Sequence, residues 1–336
     1  MRYERESLLL KLQAVSPGLA TKEAVEQSSC FVFRGGQVVT FNDEISCSIE
    51  CDIGFEGAVA AKPLIELLDK MAESDIEIGP SDSGTEIIII GKRRRAGITC
   101  EAEITLPVES MERPKKWRPV DADFADAVSM VQQCAGKDQS NFCLTCIHMT
   151  SEFIEAADNF QAIRYPVATG LKQECLVKKD LIKHIVGLGM TEVSETDTWI
   201  HYRSPSGLVF SVRRDMTDYP ELGPILEVTG TPTTLPGGLA QAVEKAEIFS
   251  ADSAENNVVE VSMRNGQLRI RGVGASGWYE ERKNVRWEGD NISFNIAPKL
   301  LTAVTARAND CSIAPGRLKV DGGKFTYVTS LGKVEK

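Results

Sequence analysis

A pair of apolar stripes that recurs three times along the chain constrains its fold more than any other feature. Leu8, Leu12 and Val15 stand at i, i+4, i+7; Phe124, Val128 and Val131 repeat that spacing 116 residues on, and Leu239, Val243 and Ala246 another 115 on. A second stripe, Leu64, Ile65, Leu68 and Met71, returns as Leu181, Ile182, Ile185 and Leu188 after 117 residues and as Leu300, Leu301 and Val304 after 119 more. This spacing lays apolar side chains along one face of a helix, and a fixed long period predicts copies of one folded unit. Each copy is long enough to bury its own core. The 336 residues therefore divide into three similar domains over 1–114, 115–230 and 231–336, with Pro- and Lys/Arg-rich (113–119) and Gly/Thr/Pro-rich (229–238) linkers at the boundaries.

Between the helical stripes lie strand signals. Gly35-Gly36 separates strands expected over 30–33 and 38–41, and Asn265-Gly266 separates 258–263 from 268–271, both strong two-residue hairpin patterns. The middle copy reads as strands 143–149 and 153–157 around Thr150-Ser151-Glu152. Further hairpins pair 76–78 with 86–90, 198–202 with 208–212, and 318–320 with 324–328 around Gly322-Gly323. No strand, helix and parallel strand follow one another, so the class is α+β with antiparallel sheets and two helices per copy.

A net charge of −10 excludes a uniformly basic nucleic-acid surface but not a local one. Basic residues recur on the polar faces of the repeated helices: Lys11, Lys62 and Lys70, then Lys178, Lys179 and Lys183, then Lys245, Lys299 and Arg307. They read either as a local, modestly basic surface for nucleic acid or as ordinary solvation of surface helices. Asp121, Asp123 and Asp126 favour the second reading in the middle copy. Lys92-Arg93-Arg94-Arg95 is likewise either a phosphate-binding patch or a solvated hairpin.

Catalytic and metal patterns carry little. Nine cysteines, an odd number, exclude a complete disulfide framework and favour small core residues in a reducing compartment. Cys143-Leu-Thr-Cys146 has half a zinc spacing without a second pair, so no metal or cofactor is expected. Gly272-Val-Gly274-Ala-Ser-Gly277 matches a dinucleotide fingerprint, but Trp278 to Trp287 reads as a strand where that site needs a helix. His148, His184 and His201 all fall in the middle copy, and no catalytic order surrounds them, so an enzyme is not expected. The longest apolar stretch, 87–90, is far short of a membrane span, and the charged Met1-Arg-Tyr-Glu-Arg-Glu start has no leader-like apolar segment. A cytoplasmic protein without membrane partners is the expectation.

Four stretches carry a family resemblance along nearly the whole chain. Glu4-Arg-Glu-Ser-Leu-Leu-Leu-Lys-Leu-Gln-Ala-Val-Ser16, Ala156-Ala-Asp-Asn159, Arg214-Asp-Met-Thr-Asp-Tyr219 and Ser293-Phe-Asn-Ile-Ala-Pro-Lys-Leu-Leu301 resemble, in register, segments of the bacterial DNA polymerase III β subunit, the sliding clamp. The resemblance implies the DNA-clamp fold, with helices lining a ring made by a head-to-tail homodimer. It implies a processivity factor that encircles duplex DNA, tethers a replicative DNA polymerase and is placed by a clamp loader. The alternative is a clamp-fold interaction scaffold, a replication or transcription regulator that does not close on DNA.

Residue by residue, the resemblance puts Lys22, and Lys137 with Gln139, in loops that touch DNA. It puts Ile248 and Phe249 at the dimer interface, where their bland reading is helix-end core. A partner-peptide cleft would use Ala162, Ile163, Thr217, Leu222, Pro224, Val328 and Leu331. Met216-Thr217 and Thr329-Ser330-Leu331 replace the family's Phe-Pro and Met-Pro there, which points to an altered partner set.

Overall fold

A computed structural model describes residues 1–250, 257–305 and 308–334. Seven α-helices occur among them: α1 Arg5–Val15, α2 Ala61–Lys70, α3 Phe124–Val131, α4 Lys179–Ile182, α5 Gly223–Leu226, α6 Leu239–Ser250 and α7 Pro298–Thr305. The first stripe of each copy is helical as expected, with Leu8, Leu12, Val15, Phe124, Val128, Val131, Leu239, Val243 and Ala246 all buried.

The second stripe holds in the first copy, where α2 buries Leu64 and Leu68, but not in the middle one. There α4 lasts four residues and gives way to a 3-10 turn, Lys183–Ile185. Gly187 and Gly189 follow at φ +88° and +63°, a conformation that ends a helix. Leu181, Ile182 and Ile185 are buried all the same, so the apolar pattern reported burial correctly and regular helix wrongly. A second correction concerns Cys143–Thr145, which forms a 3-10 turn ahead of the strand Cys146–Met149.

The hairpins follow their turn residues. Gly35 and Gly36 both take positive φ between Cys30–Arg34 and Gln37–Phe41, as do Asn265 and Gly266 between Val259–Arg264 and Gln267–Gly274. Two successive left-handed residues match the natural twist of paired strands. The glycine-rich fingerprint is also a hairpin: Gln267–Gly274 pairs with Gly277–Asn284, and Val273 faces Trp278 across it. A Cβ on Gly272 would lie 1.9 Å from the carbonyl oxygen of Ala246, so this glycine lets α6 press directly on the sheet.

The chain forms two compact units, each discontinuous in sequence. The first comprises Met1–Met130, His148–Glu152 and Val167–Asp218. Its frame is a twelve-stranded antiparallel sheet in which Ile45–Glu50 of the first copy pairs with Val209–Arg213 of the second, Phe210 opposite Cys47. Trp199 and Phe41 pack together with Val32 and Leu106 in its core. The second unit comprises Val131–Ile147, Phe153–Pro166 and Tyr219–Lys336. In it Phe153–Ala157 and Gln161–Pro166 of the middle copy join Thr326–Ser330, Arg317–Asp321, Asp310–Ala314 and Thr231–Thr234 of the last. A separate four-stranded sheet runs in the order 277–284, 267–274, 259–264, 292–296. Residues 115–230 are thus shared between the two units, because their strands extend sheets begun in the neighbouring copies.

Eight of the nine cysteines are buried and Cys143 is half-buried. Among the described residues no helix is long and apolar enough to cross a membrane.

Candidate functional site

The basic residues expected to face DNA fall into two groups. Lys178 Nζ lies 2.5 Å from Glu44, Lys183 Nζ 3.2 Å from Asp180, and Lys245 Nζ 3.5 Å from Glu281. Glu281 is held at about 2, first by the Tyr279 hydroxyl and then by Lys283 and the nearby lysine charges; the carboxylate in turn raises the Lys245 ammonium. A lysine already neutralised by a carboxylate gives less to a phosphate. Lys22, Lys62, Lys137, Gln139 and Lys299 are exposed, and Lys11 and Lys179 are half-buried. Arg307 lies outside the described residues.

Lys22 sits on a loop that is anchored from beneath. Gln27, buried and at φ +61°, donates from Nε2 to the Glu103 carbonyl and to Glu101 Oε2, while its Oε1 accepts from the N–H groups of Thr105 and Leu106. Both N–H donors and both carbonyl lone pairs of the amide are used, which fixes the loop on the 101–106 segment. Sequence reasoning missed Gln27; a lone glutamine in a polar loop gives no pattern. The loop of Lys137 and Gln139 closes on Asp138, which accepts the Ser140 N–H at 2.9 Å. That bond and one from the Ser140 hydroxyl lower the Asp138 pKa, so a carboxylate stands between the two expected DNA contacts.

Of the expected cleft residues, Ala162, Leu222 and Val328 meet in one cluster with Ala157 and Leu226. Leu144, Tyr219 and Val228 pack on it half-buried, and Phe160 and Ile225 are exposed nearby in sequence. Ile163 is fully buried and, one residue from Ala162 on the same strand, points to the opposite sheet face, opposite Tyr327. Pro224 is exposed at the start of α5; Leu331 is buried with its N–H on the Gly316 carbonyl. Thr217 belongs to the first unit, exposed, with its N–H on Asp215 Oδ1 at 2.7 Å.

The Arg214 to Tyr219 motif is structural at both ends. Arg214, with a side chain 2% exposed, faces Glu195 at 3.6 Å, and Arg118 approaches the same carboxylate at 3.1 Å. The Tyr219 hydroxyl accepts the Ala157 N–H at 2.9 Å, and burial raises its pKa. Ile248 is 66% exposed near the end of α6, with Phe249 half-buried beside Gly277. Val273 and Trp278, at the tip of the neighbouring hairpin, are 51% and 63% exposed.

The histidines are dispersed. His201 is fully buried between Ser211, 2.8 Å from Nδ1, and Thr196, 3.5 Å from Nε2, and burial takes its pKa down to about 4. His148 lies 3.5 Å from Glu174 in the first unit, and His184 is half-buried on the 3-10 turn.

No family model matches the sequence, and no curated protein matches it. Solved structures match it from end to end. A DnaN sliding clamp from Pseudomonas aeruginosa bound to griselimycin superposes at a TM-score of 0.84 with 14% identity, covering 99% of both chains. The DNA polymerase III beta chain of Streptococcus pneumoniae gives 0.85 at 12% identity and the beta subunit of Thermotoga maritima 0.83 at 13%, each again over 99% of both chains. The chain has the fold of the bacterial DNA polymerase III beta subunits, and it reaches that fold with a strongly divergent sequence.

Proposed function

We propose that this chain is a DNA sliding clamp: two copies, each of three clamp domains over 1–114, 115–230 and 231–336, close head to tail around duplex DNA and tether a polymerase. The observation that carries the reading is the extent of the structural likeness, which takes in 99% of both chains. Two features of the surface support self-association. Among the described residues, the strand Arg95–Glu101 is paired along one side but on the other only at Cys100 and Glu101, and Gly277–Asn284 is the end strand of its sheet. Open edges invite strand pairing between chains, and edges in different parts of one chain suit a head-to-tail, ring-forming contact. Ile248, Val273 and Trp278 would supply apolar area beside the second edge.

The chemistry is topological rather than catalytic. A closed ring needs no tight phosphate contacts, and the exposed Lys22, Lys62, Lys137 and Lys299 would hold DNA weakly enough to slide. Repeated polymerase binding then becomes intramolecular, at an effective concentration of order millimolar for a short tether. The cluster around Ala162, Leu222 and Val328, with Phe160 exposed, would receive a partner peptide from the polymerase or the clamp loader.

The test is solution mass by light scattering combined with retention on nicked circular DNA. A mass near twice 36.8 kDa, lost when Ile248 and Phe249 are changed to alanine, together with release on linearising the circle, is the expected result. A monomer at every concentration that still binds polymerase would replace the clamp by the open scaffold.

A further inference from the structure

The outward face of the four-stranded sheet carries an arginine cluster that the clamp reading does not use. Alternation along the strands puts Glu260, Ser262 and Arg264 of one strand, Gln267, Arg269 and Arg271 of the next, and Glu280 and Arg282 of the third on that face, opposite Val261, Met263, Leu268 and Ile270 of the core. Arg269 stands directly across from Arg282, a like-charge pair that a sheet ordinarily avoids. Two glutamates hold the pair: Arg269 reaches Glu260 at 2.6 Å and Glu280 at 3.6 Å, and Arg282 reaches Glu280 at 2.9 Å. Arg264, at the mouth of the Asn265-Gly266 turn, has no carboxylate partner among the described residues. Ser262, Arg264, Asn265, Gln267, Arg269 and Arg282 line an open recess of about 240 Å³. Because Arg269 Nε already donates to Ser262 Oγ at 3.2 Å, the Ser262 hydroxyl proton is free to point elsewhere.

We propose that this recess binds a single phosphoryl dianion, as free phosphate or as a phosphate monoester on another molecule. The four arginines of this face, Arg264, Arg269, Arg271 and Arg282, outnumber its two glutamates and leave it net positive, in a chain whose net charge is −10. Guanidinium forks match the oxygens of a phosphoryl group two at a time, and Glu260 and Glu280 pre-set the Arg269 fork before the ligand arrives. The same two carboxylates flank the recess and would repel a continuous phosphate backbone. The site therefore suits one phosphoryl group and not a duplex, and it stands whether or not the chain closes around DNA.

Calorimetric titration of the full chain with inorganic phosphate, and separately with a phosphoserine peptide of neutral flanks, tests it. The expected result is saturable binding of at least one probe at pH 7.5, weakened at least tenfold in R264Q/R282Q and unchanged in R317Q. Both cluster positions are exposed, and R264Q alone removes no bond from the fold, so its loss of binding cannot come from unfolding. Affinity should also fall at pH 5.5, where a phosphomonoester, with a second pKa near 6, is largely monoanionic. Binding of phosphate alone would identify a free-anion site, and preference for the peptide a docking site for a modified partner. No binding up to millimolar concentrations, no loss in the variants, or displacement of the probe by duplex DNA on the same arginines would overturn the proposal.

Discussion

Gln27 Nε2 donates to Glu101 Oε2 at 2.7 Å, joining the loop that carries Lys22 to the strand that ends at Glu101. Changing Gln27 to alanine strands the N–H groups of Thr105 and Leu106 and removes two donations. Leaving buried donors unsatisfied costs about 1–3 kcal/mol. Urea unfolding should show Q27A less stable by about 2 kcal/mol, and amide exchange should quicken over the Lys22 loop. An unchanged midpoint would mean the loop has another anchor.

Glu195 neutralises Arg214 and Arg118, and with Arg214 buried the substitution Glu195→Gln leaves a buried guanidinium without its counter-ion. Breaking such a pair on one side costs roughly 3–5 kcal/mol. The nearby Arg203–Glu192 pair, over a third exposed on both sides, should cost under about 1 kcal/mol when Glu192 is changed to glutamine. Equal effects of the two substitutions on chemical denaturation would contradict the burial argument.

Stability should fall at both ends of the pH scale for separate reasons. Burial lowers His201 to about 4 from 6.5, so the unfolded chain binds its proton first. Stability from this group is complete above about pH 6.5 and lost as pH falls towards 4, by roughly 3 kcal/mol in all. Burial raises the thiols of Cys47, Cys175 and Cys311 from 9.0 to about 12. The unfolded chain releases those protons first, so stability declines as pH rises from about 9 towards 12. An NMR titration in which the His201 ring stays neutral at pH 5.5, and a falling melting temperature above pH 9, are the expected observations.

If the chain encircles DNA, its lysines should not be equivalent. Lys22→Ala and Lys137→Ala should each reduce the salt dependence of DNA binding by about one unit of log–log slope, as for loss of one phosphate contact. Lys178, Lys183 and Lys245 are tied to Glu44, Asp180 and Glu281, and their alanine variants should change the slope by less than half as much. Binding by fluorescence anisotropy across a salt series separates the two groups; a uniform effect would show that the ion pairs open on DNA.

The sequence by itself determined the first helix of each copy, the hairpins and the antiparallel class, since each rests on local periodicity or on turn residues such as Asn265-Gly266 that take positive φ readily. The resemblance that spans the chain named Ala162, Leu222 and Val328 together, and in the structure the three share one buried apolar cluster. Local pattern misled at Leu181 to Leu188, where apolar spacing recorded burial and Gly187 and Gly189 stopped the helix. Tertiary structure alone decided which lysines are already paired, because Glu44 lies 134 residues from Lys178. It alone made Gln27 an anchor and Gly272 a contact point for α6, and it alone brought Arg264, Arg269 and Arg282 around one recess. Each of these depends on strand register and on packing between elements, and charge balance at a surface is a property of that register, to which spacing along the chain is blind.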